Sequence, residues 1–415
     1  MSERVVVLGA GAGGTMVANR LDCELGGLGE VVVVDAEPTH RYQPACYLAP
    51  FDCLSLDEHA RDVREYLRAD VQFLEATVTG ITPADQTVQL SVGSLGYDRL
   101  VVALGHELYA TPGREQPHVY PFYRAAAARA LDRTLDRLVA HHGDGDPNRV
   151  PTPARDAVAT DGGAAAASLP TANAADPLRV VVTEPDTPVS CGGAPAKVAL
   201  LAEDYLSDHS VPCSVTVAGP DERPFGDDHK ERYDRRLADI FAERGVDYVP
   251  NFVPSEVRNG AVVGANGRRL PYDLYLPVSP QRCPRVLTDR SPLTEDGYVA
   301  VDAATLRHRE HDHVYGIGDC TDLPTSKTAA AARKQAAALA DNLTADVTGR
   351  AYEATYDGFA ACPLLTERGK AMLAAYNYDG AMTPAVESRL GWLADVELIP
   401  RLYWGVWLRG YLLGA

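Results

Sequence analysis

The chain has 415 residues, enough for two or more domains with sizeable cores. Its apolar fraction, 46%, is ordinary, but its formal charge of −18 is not, and only Lys197, Lys230, Lys327, Lys334 and Lys370 among the 39 basic residues are lysine. Such an acid-rich, lysine-poor surface suits the strong screening of high salt, as in a halophile, and disfavours nucleic-acid binding, which needs basic patches.

The charged start Met1-Ser2-Glu3-Arg4 runs straight into Val5-Val6-Val7-Leu8, too short an apolar run for a secretory signal. No stretch approaches the roughly 18 apolar residues of a spanning helix. A cytosolic setting is therefore expected, in which an oxidised cysteine pair would be catalytic rather than structural. The eight cysteines form no CxxC pattern, so no metal site is expected.

Residues 4–8 read as a buried strand, followed by a glycine loop, a helix through Val17 and Leu21, and a second strand over 30–34 ending at Asp35. Residues 71–80 alternate like a β-ribbon, and 100–104 form a buried strand stopped by Gly105. A helix over 124–140 carries Leu131, Leu135 and Leu138 on one face. Residues 141–178 are a loop insertion rich in Gly, Pro, Ala and Asp, and His141-His142 at its start read as a solvated pair rather than metal ligands.

A second α/β unit begins with a strand over 179–182, a helix from about Pro195 to Leu206 and a strand over 214–218. A long helix spans roughly 229–244, strands recur at 299–301 and 313–317, and an alanine-rich helix covers 327–342. All three tryptophans, Trp392, Trp404 and Trp407, fall in the last 24 residues, with Tyr403 and Tyr411. Trp404, Leu408 and Tyr411 lie near one helical face, and Arg401 and Arg409 can snorkel, which suits a helix in a bilayer interface.

Gly9, Gly11 and Gly14 fit G-x-G-x-x-G, with Gly13 inside the same turn, between a strand and a helix. Such glycines permit a tight turn and close backbone approach, and the helix N-terminus holds pyrophosphate. Asp35 stands where a ribose-binding acid is expected. Gly316-Ile317-Gly318-Asp319 repeats the strand–turn–helix context late in the chain. Together with Gly105, these residues point to bound FAD. A second, nicotinamide-binding fingerprint should follow the strand over 179–182, but Thr183-Glu184-Pro185-Asp186-Thr187-Pro188 stands there instead. Two acids and two prolines would repel pyrophosphate and block backbone donors.

Beyond them comes Ser190-Cys191-Gly192-Gly193-Ala194-Pro195-Ala196-Lys197, and Cys362 follows in Gly358-Phe359-Ala360-Ala361-Cys362-Pro363-Leu364. With residues 314–331, His40-Arg41-Tyr42-Gln43-Pro44 and the tail Leu402-Tyr403-Trp404 and Leu408-Arg409-Gly410-Tyr411, these stretches resemble the sulfide:quinone oxidoreductases, mitochondrial-enzyme-like type, over most of the chain. The resemblance implies an α/β fold of two Rossmann-like domains plus a C-terminal membrane-docking amphipathic segment. The domains would be 1–110 with 290–345 for FAD, 111–289 for the second unit, and 346–415 for the redox-cysteine and docking region.

The same resemblance implies a Cys191–Cys362 redox disulfide that sulfide attacks by thiol–disulfide exchange, leaving a persulfide on Cys362 and a thiolate on Cys191. The helix beginning near Pro195, and Lys197, would favour that thiolate. Lys327, at the start of its helix, would stabilise reduced flavin. The implied partners are sulfide, membrane quinone, a sulfur acceptor (sulfide, thiol or polysulfide) and the membrane surface at the cytoplasmic face. A homo-oligomer stays open. Cys23, Cys213 and Cys283 read as buried small hydrophobes, Cys320 receives no redox role, and a modulatory role for Cys46 and Cys53 stays open. The competing readings are a type II NADH dehydrogenase, a flavocytochrome c-type sulfide dehydrogenase subunit, and a non-catalytic sulfide or persulfide sensor.

Overall fold

A computed structural model describes residues 2–142, 169–170, 176–226, 230–352 and 354–411. Most of the insertion expected over 141–178 lies outside the described residues. The run of Val and Leu after Arg4 has no alternation, which marks a strand buried on both faces. It becomes Glu3–Leu8, the centre of a five-stranded parallel sheet in the order Val314–Gly316, Arg99–Val102, Glu3–Leu8, Gly29–Asp35, Gln72–Glu75. Val7 pairs with Val33 on one side and Val101 on the other. The expected β-ribbon over 71–80 therefore divides. Gln72–Glu75 is a parallel edge strand, and only Val78–Thr82 enters an antiparallel meander with Thr87–Leu90 and Gly93–Gly96.

The helices Ala12–Leu25 and Ala329–Thr348 pack against each other beside this sheet. The second helix begins later than the sequence suggested: Thr328 is its N-cap, accepting the N–H of Ala331 at 3.0 Å. It also runs further. Asn342 is no stop, because it is fully buried and its amide donates to the carbonyl of Ala354 at 2.9 Å. Gly349, at φ 68°, ends the helix.

A second parallel sheet has the order Val246–Val249, Cys213–Ala218, Leu178–Thr183, Leu274–Pro277. The helix Ala194–Asp208 follows Leu178–Thr183 and is buried along most of its length. It packs on the strand Ala360–Glu367 of a C-terminal antiparallel sheet, in which Cys362 pairs with Ala374. That contact brings residues 191 and 362 together.

The tail is a chain of short helical turns, Arg389–Leu393, Ala394–Leu398, Ile399–Leu402 and Tyr403–Trp407, the second and fourth of them π-helical. The expected bilayer-facing stripe is overturned at two of its three positions. Trp404 is 4% exposed and Leu408 fully buried, both in the core of the first domain. Trp404 meets His40 edge-on at 5.4 Å and Tyr66 at 5.0 Å, with the Arg61 guanidinium 4.7 Å over its ring. The carbonyl of Leu408 accepts from Asn19 at 2.6 Å. Of that stripe Tyr411 alone is exposed, and further apolar side chains that face outward in the tail are Leu390, Leu393 and Leu398, beside exposed Arg389 and Arg401. Among the described residues no helix is long and apolar enough to cross a membrane.

Candidate active site

The C-terminal ends of the first sheet's strands carry the glycines. Gly9 (φ +101°) and Gly14 are glycine for packing: a Cβ would stand 2.4 Å from the Ala103 oxygen at the first and 1.9 Å from the Gly9 oxygen at the second. Gly11, Gly105 and Gly318 are different, since among the described residues nothing stands within 4 Å of where their Cβ would be. Gly13 packs on Ile317. The carboxylate of Asp35 accepts the N–H of Ala10 at 2.6 Å and closes the loop from the neighbouring strand. Gly11 caps the helix Ala12–Leu25 without a side-chain hydrogen bond, so its first N–H groups face the open side of the loop. An open glycine cradle against a helix N-terminus and an acid fits a dinucleotide.

Beside it along the sheet edge, His106 Nδ1 lies 2.8 Å from Asp319 Oδ2. Burial alone would raise the pKa of Asp319, but the hydrogen bond and charge of His106, the Lys327 ammonium and the Ser190 hydroxyl bring it below the usual carboxylate range. Lys327 sits in the loop just before its helix, not within it, and donates to the carbonyls of Asp319 at 2.7 Å and Thr321 at 2.9 Å. Burial lowers its pKa. A small cleft of about 10 Å³ opens between Gly318, Lys327, Thr328 and Gln335.

Cys191 lies at the junction of the domains. Its φ is 58°, a left-handed conformation that costs a non-glycine residue roughly 1–3 kcal/mol unless its surroundings enforce it. Its N–H donates to the Lys327 carbonyl at 2.6 Å, and its own carbonyl accepts from Ala194 at 2.8 Å. The N–H of Ser190 donates to the Gln281 side-chain oxygen at 2.7 Å, and the Tyr123 hydroxyl to the Ser190 carbonyl. Cys191 Sγ stands 2.8 Å from Cys362 Sγ, both present as thiols, and 3.4 Å from Lys197 Nζ.

The two sulfurs are not equivalent. The hydrogen bond from Cys362 outweighs burial and, with the charge and hydrogen bond of Lys197 and a hydrogen bond from Tyr47, lowers the pKa of Cys191 to about 5. The same hydrogen bond, then burial, holds the Cys362 thiol well above its ordinary value. Lys197 is 2% exposed, yet its neighbouring sulfurs and Asp395 keep it firmly protonated against the pull of burial. Asp395, on the first π-helical turn of the tail, is itself buried, and burial raises its carboxyl to about 6. Gly193 faces Cys362: a Cβ there would lie 2.7 Å from its sulfur.

The structure thus gathers Cys191, Cys362, Asp319, Gly318 and Lys327 at one place, with Gly105 beside His106, and puts Gly9, Gly11, Gly13, Gly14 and Asp35 at the centre of the same sheet edge, where Gly13 packs on Ile317. Sequence reasoning passed over Tyr47, Tyr123, His106, Gly193 and Asp395. Gly193 had a signal in Cys-Gly-Gly, and His106 one in following Gly105; Asp395 had none. Cys46 and Cys53 are buried thiols raised by that burial to about 11 and about 12, unsuited to redox work. Cys23, expected inside, is exposed. Where a nicotinamide fingerprint would stand, burial and the nearby charges of Asp221 and Asp234 raise Glu184 to about 8.

Residues 3–141 match the family described as pyridine nucleotide-disulphide oxidoreductase. The mitochondrial sulfide:quinone oxidoreductase of Dictyostelium discoideum is 28% identical, aligned over 99% of this chain and 87% of its own. That of Mus musculus is 28% identical over 98% and 86%. The chain is thus similar along nearly its whole length to sulfide:quinone oxidoreductases. The structure of the sulfide:quinone oxidoreductase from Aquifex aeolicus superposes with a TM-score of 0.77 at 18% identity, covering 97% of this chain and 91% of that one. The same two-domain fold occurs in NDH2 of Plasmodium falciparum, with a TM-score of 0.68 at 11% identity over 99% and 96%. That NDH2 structure is a complex with NADH, so the fold alone does not choose the ligand.

Proposed function

We propose that this chain oxidises sulfide and passes the electrons to quinone, using Cys191 and Cys362 as a redox pair. The observation that carries the residue assignment is the asymmetry of the two thiols, which lie in contact beside Asp319 and Lys327. In a Cys191–Cys362 disulfide, the sulfur with the lower thiol pKa is the better leaving group. Hydrosulfide therefore attacks Cys362 Sγ. A bond forms between the incoming sulfur and Cys362, the Cys362–Cys191 bond breaks, and its electron pair leaves on Cys191 as thiolate. Lys197 and the N-terminus of Ala194–Asp208 stabilise that charge. Cys362 is 1% exposed, so a small nucleophile is favoured. The sulfane sulfur leaves Cys362 to a second sulfide, a thiol or a polysulfide.

FAD is the cofactor, and when bound it supplies the two-electron carrier between the sulfur pair and quinone. Gly9, Gly11, Gly14 and Asp35 would hold its dinucleotide part, and Gly105, Gly318 and Asp319 its flavin end. Lys327 holds positive charge at that end, close to the Cys191 backbone. Burial and like charge at Glu184 disfavour a second dinucleotide, which argues against the NADH dehydrogenase reading.

For the membrane, the supporting surface is not the tryptophan stripe but Leu390 (78% exposed), Leu393 and Leu398 with Arg389 and Arg401. Leucines flanked by arginines suit shallow insertion at an anionic surface, here the cytoplasmic face. Anaerobic absorbance titration tests the function. Sulfide should bleach the bound flavin and quinone should restore it, whereas NADH bleaching at a comparable rate would favour the dehydrogenase.

A further inference from the structure

Gln281 takes no part in the chemistry above, yet it touches the segment that presents Cys191 at two points. Its side-chain oxygen accepts the N–H of Ser190 at 2.7 Å, and its own N–H donates to Thr187 Oγ1 at 3.1 Å. It is rigidly held. Gln281–Arg282 pairs antiparallel with Glu107–Leu108, directly after Gly105-His106, and the preceding Pro280 carbonyl accepts from Tyr109 at 2.8 Å. The residue is 2% exposed, and its Nε2 has no partner among the described residues. A buried glutamine with half its amide unsatisfied is poor core filling, so its value lies in the oxygen that holds Ser190.

The held segment is under strain. Cys191 at φ 58° would relax toward an ordinary conformation if its neighbours let go. Relaxation would swing Sγ away from Cys362 and Lys197. The Lys327 carbonyl fixes the Cys191 N–H and Ala194 fixes its carbonyl, and the residue before it, Ser190, is held by Tyr123 at its carbonyl, Gln281 at its N–H and Asp319 at its hydroxyl.

We propose that Gln281 is a positioning residue for Cys191, fixing the Ser190 N–H so that the cysteine stays left-handed with its sulfur between Cys362, Lys197 and the flavin end of the cradle. The inference rests on the redox role proposed for Cys191. Methionine at 281 keeps the volume and removes the acceptor, and glutamate keeps an acceptor oxygen.

The test compares Cys362→Ala, Cys362→Ala with Gln281→Met, and Cys362→Ala with Gln281→Glu, all as FAD holoenzyme at about pH 9, where a free cysteine is ionised. The long-wavelength absorbance of a thiolate against oxidised flavin is recorded for each, with Tm as a control. The expected result is a clear band in Cys362→Ala, a several-fold weaker one with Gln281→Met, and recovery with Gln281→Glu. A band unchanged by Gln281→Met would overturn the clamp. No band in Cys362→Ala itself would count against the redox role of Cys191 rather than the clamp. The clamp is then decided by iodoacetamide alkylation in the otherwise native chain. A several-fold slower Cys191 reaction at neutral pH in Gln281→Met supports it, and an equal rate refutes it. Equal loss of Tm in both 281 variants with the band intact would mark Gln281 as merely structural.

Discussion

The carbonyl oxygen of Lys327 accepts the backbone N–H of Cys191 at 2.6 Å. One end of this bond belongs to the loop after Gly318-Asp319 in the first sheet's domain, the other to the loop after the second sheet's first strand. Cys191, the proposed redox cysteine, is thus tied by its backbone to the first sheet's domain, while its sulfur reaches Cys362 in the C-terminal sheet.

Gly193→Ala should injure the cysteine pair without unfolding the chain. The new methyl would stand 2.6 Å from Leu364 Cδ2 and 2.7 Å from Cys362 Sγ, so both side chains must shift. Overpacking of this kind costs about 1–3 kcal/mol. Sulfide-dependent turnover should fall by at least about tenfold, since a 1 Å misplacement at a reacting pair is expensive. Turnover kinetics and Tm on the same variant check both halves.

Lys197→Met should raise the pKa of Cys191. The ammonium stands 3.4 Å from the sulfur, and its charge is the next lowering influence after the Cys362 hydrogen bond. In the reduced native protein, alkylation of Cys191 should stay fast down to about pH 5 and decline below it. In the variant the decline should begin at higher pH. Cys362→Ala should move it further, because the largest cause is lost. The pH profile of alkylation with mass-spectrometric readout measures this.

Asp395 gives a stability test with a definite sign. Its folded pKa of about 6 lies above the ordinary 3.8, so the folded chain keeps the proton longer than the unfolded one. The contribution is fully present below 3.8 and is lost as pH rises through about 6. Asp395→Asn removes the titration. Its stability relative to the native chain should therefore rise from pH 4 to pH 7, by on the order of 3 kcal/mol at 1.36 kcal/mol per pH unit. Denaturant unfolding at the two pH values reads it, and a flat difference would refute the assignment.

The tail has two faces, and variants should separate them. Trp404→Ala removes a core aromatic and should cost about 3–5 kcal/mol, with a fall in Tm. Leu390→Glu with Leu398→Glu should leave Tm nearly unchanged but weaken sedimentation with anionic vesicles. Deleting the whole tail would confuse the two, because Tyr403 is bonded to His40, whose other ring nitrogen lies 2.8 Å from the Ala10 carbonyl of the glycine loop.

The glycine loop, Asp35, Gly318-Asp319 and the inner strands of the parallel sheets were legible because each rests on local chemistry, apolar runs, obligate glycines and an acid at a strand end, whereas Gln72–Glu75 read as ribbon and Val246–Val249 and Leu274–Pro277 were not read. The cysteine motifs were legible as motifs, but their contact arises from packing of Ala194–Asp208 on Ala360–Glu367, which no short window contains. The tail misled for the same reason. Trp404 and Leu408 show the periodicity of an amphipathic helix, and periodicity does not say whether the apolar face meets lipid or the protein's own core. Asp395 carried no signal, because a lone acid in a helical stretch is ordinarily solvated.

The central claim is tested most directly by sulfide-dependent quinone reduction in Cys191→Ser and Cys362→Ser, each loaded with FAD and matched for Tm. Both should fall to background, since neither can form the disulfide that hydrosulfide attacks. Turnover near that of the native chain in either variant would contradict the redox pair.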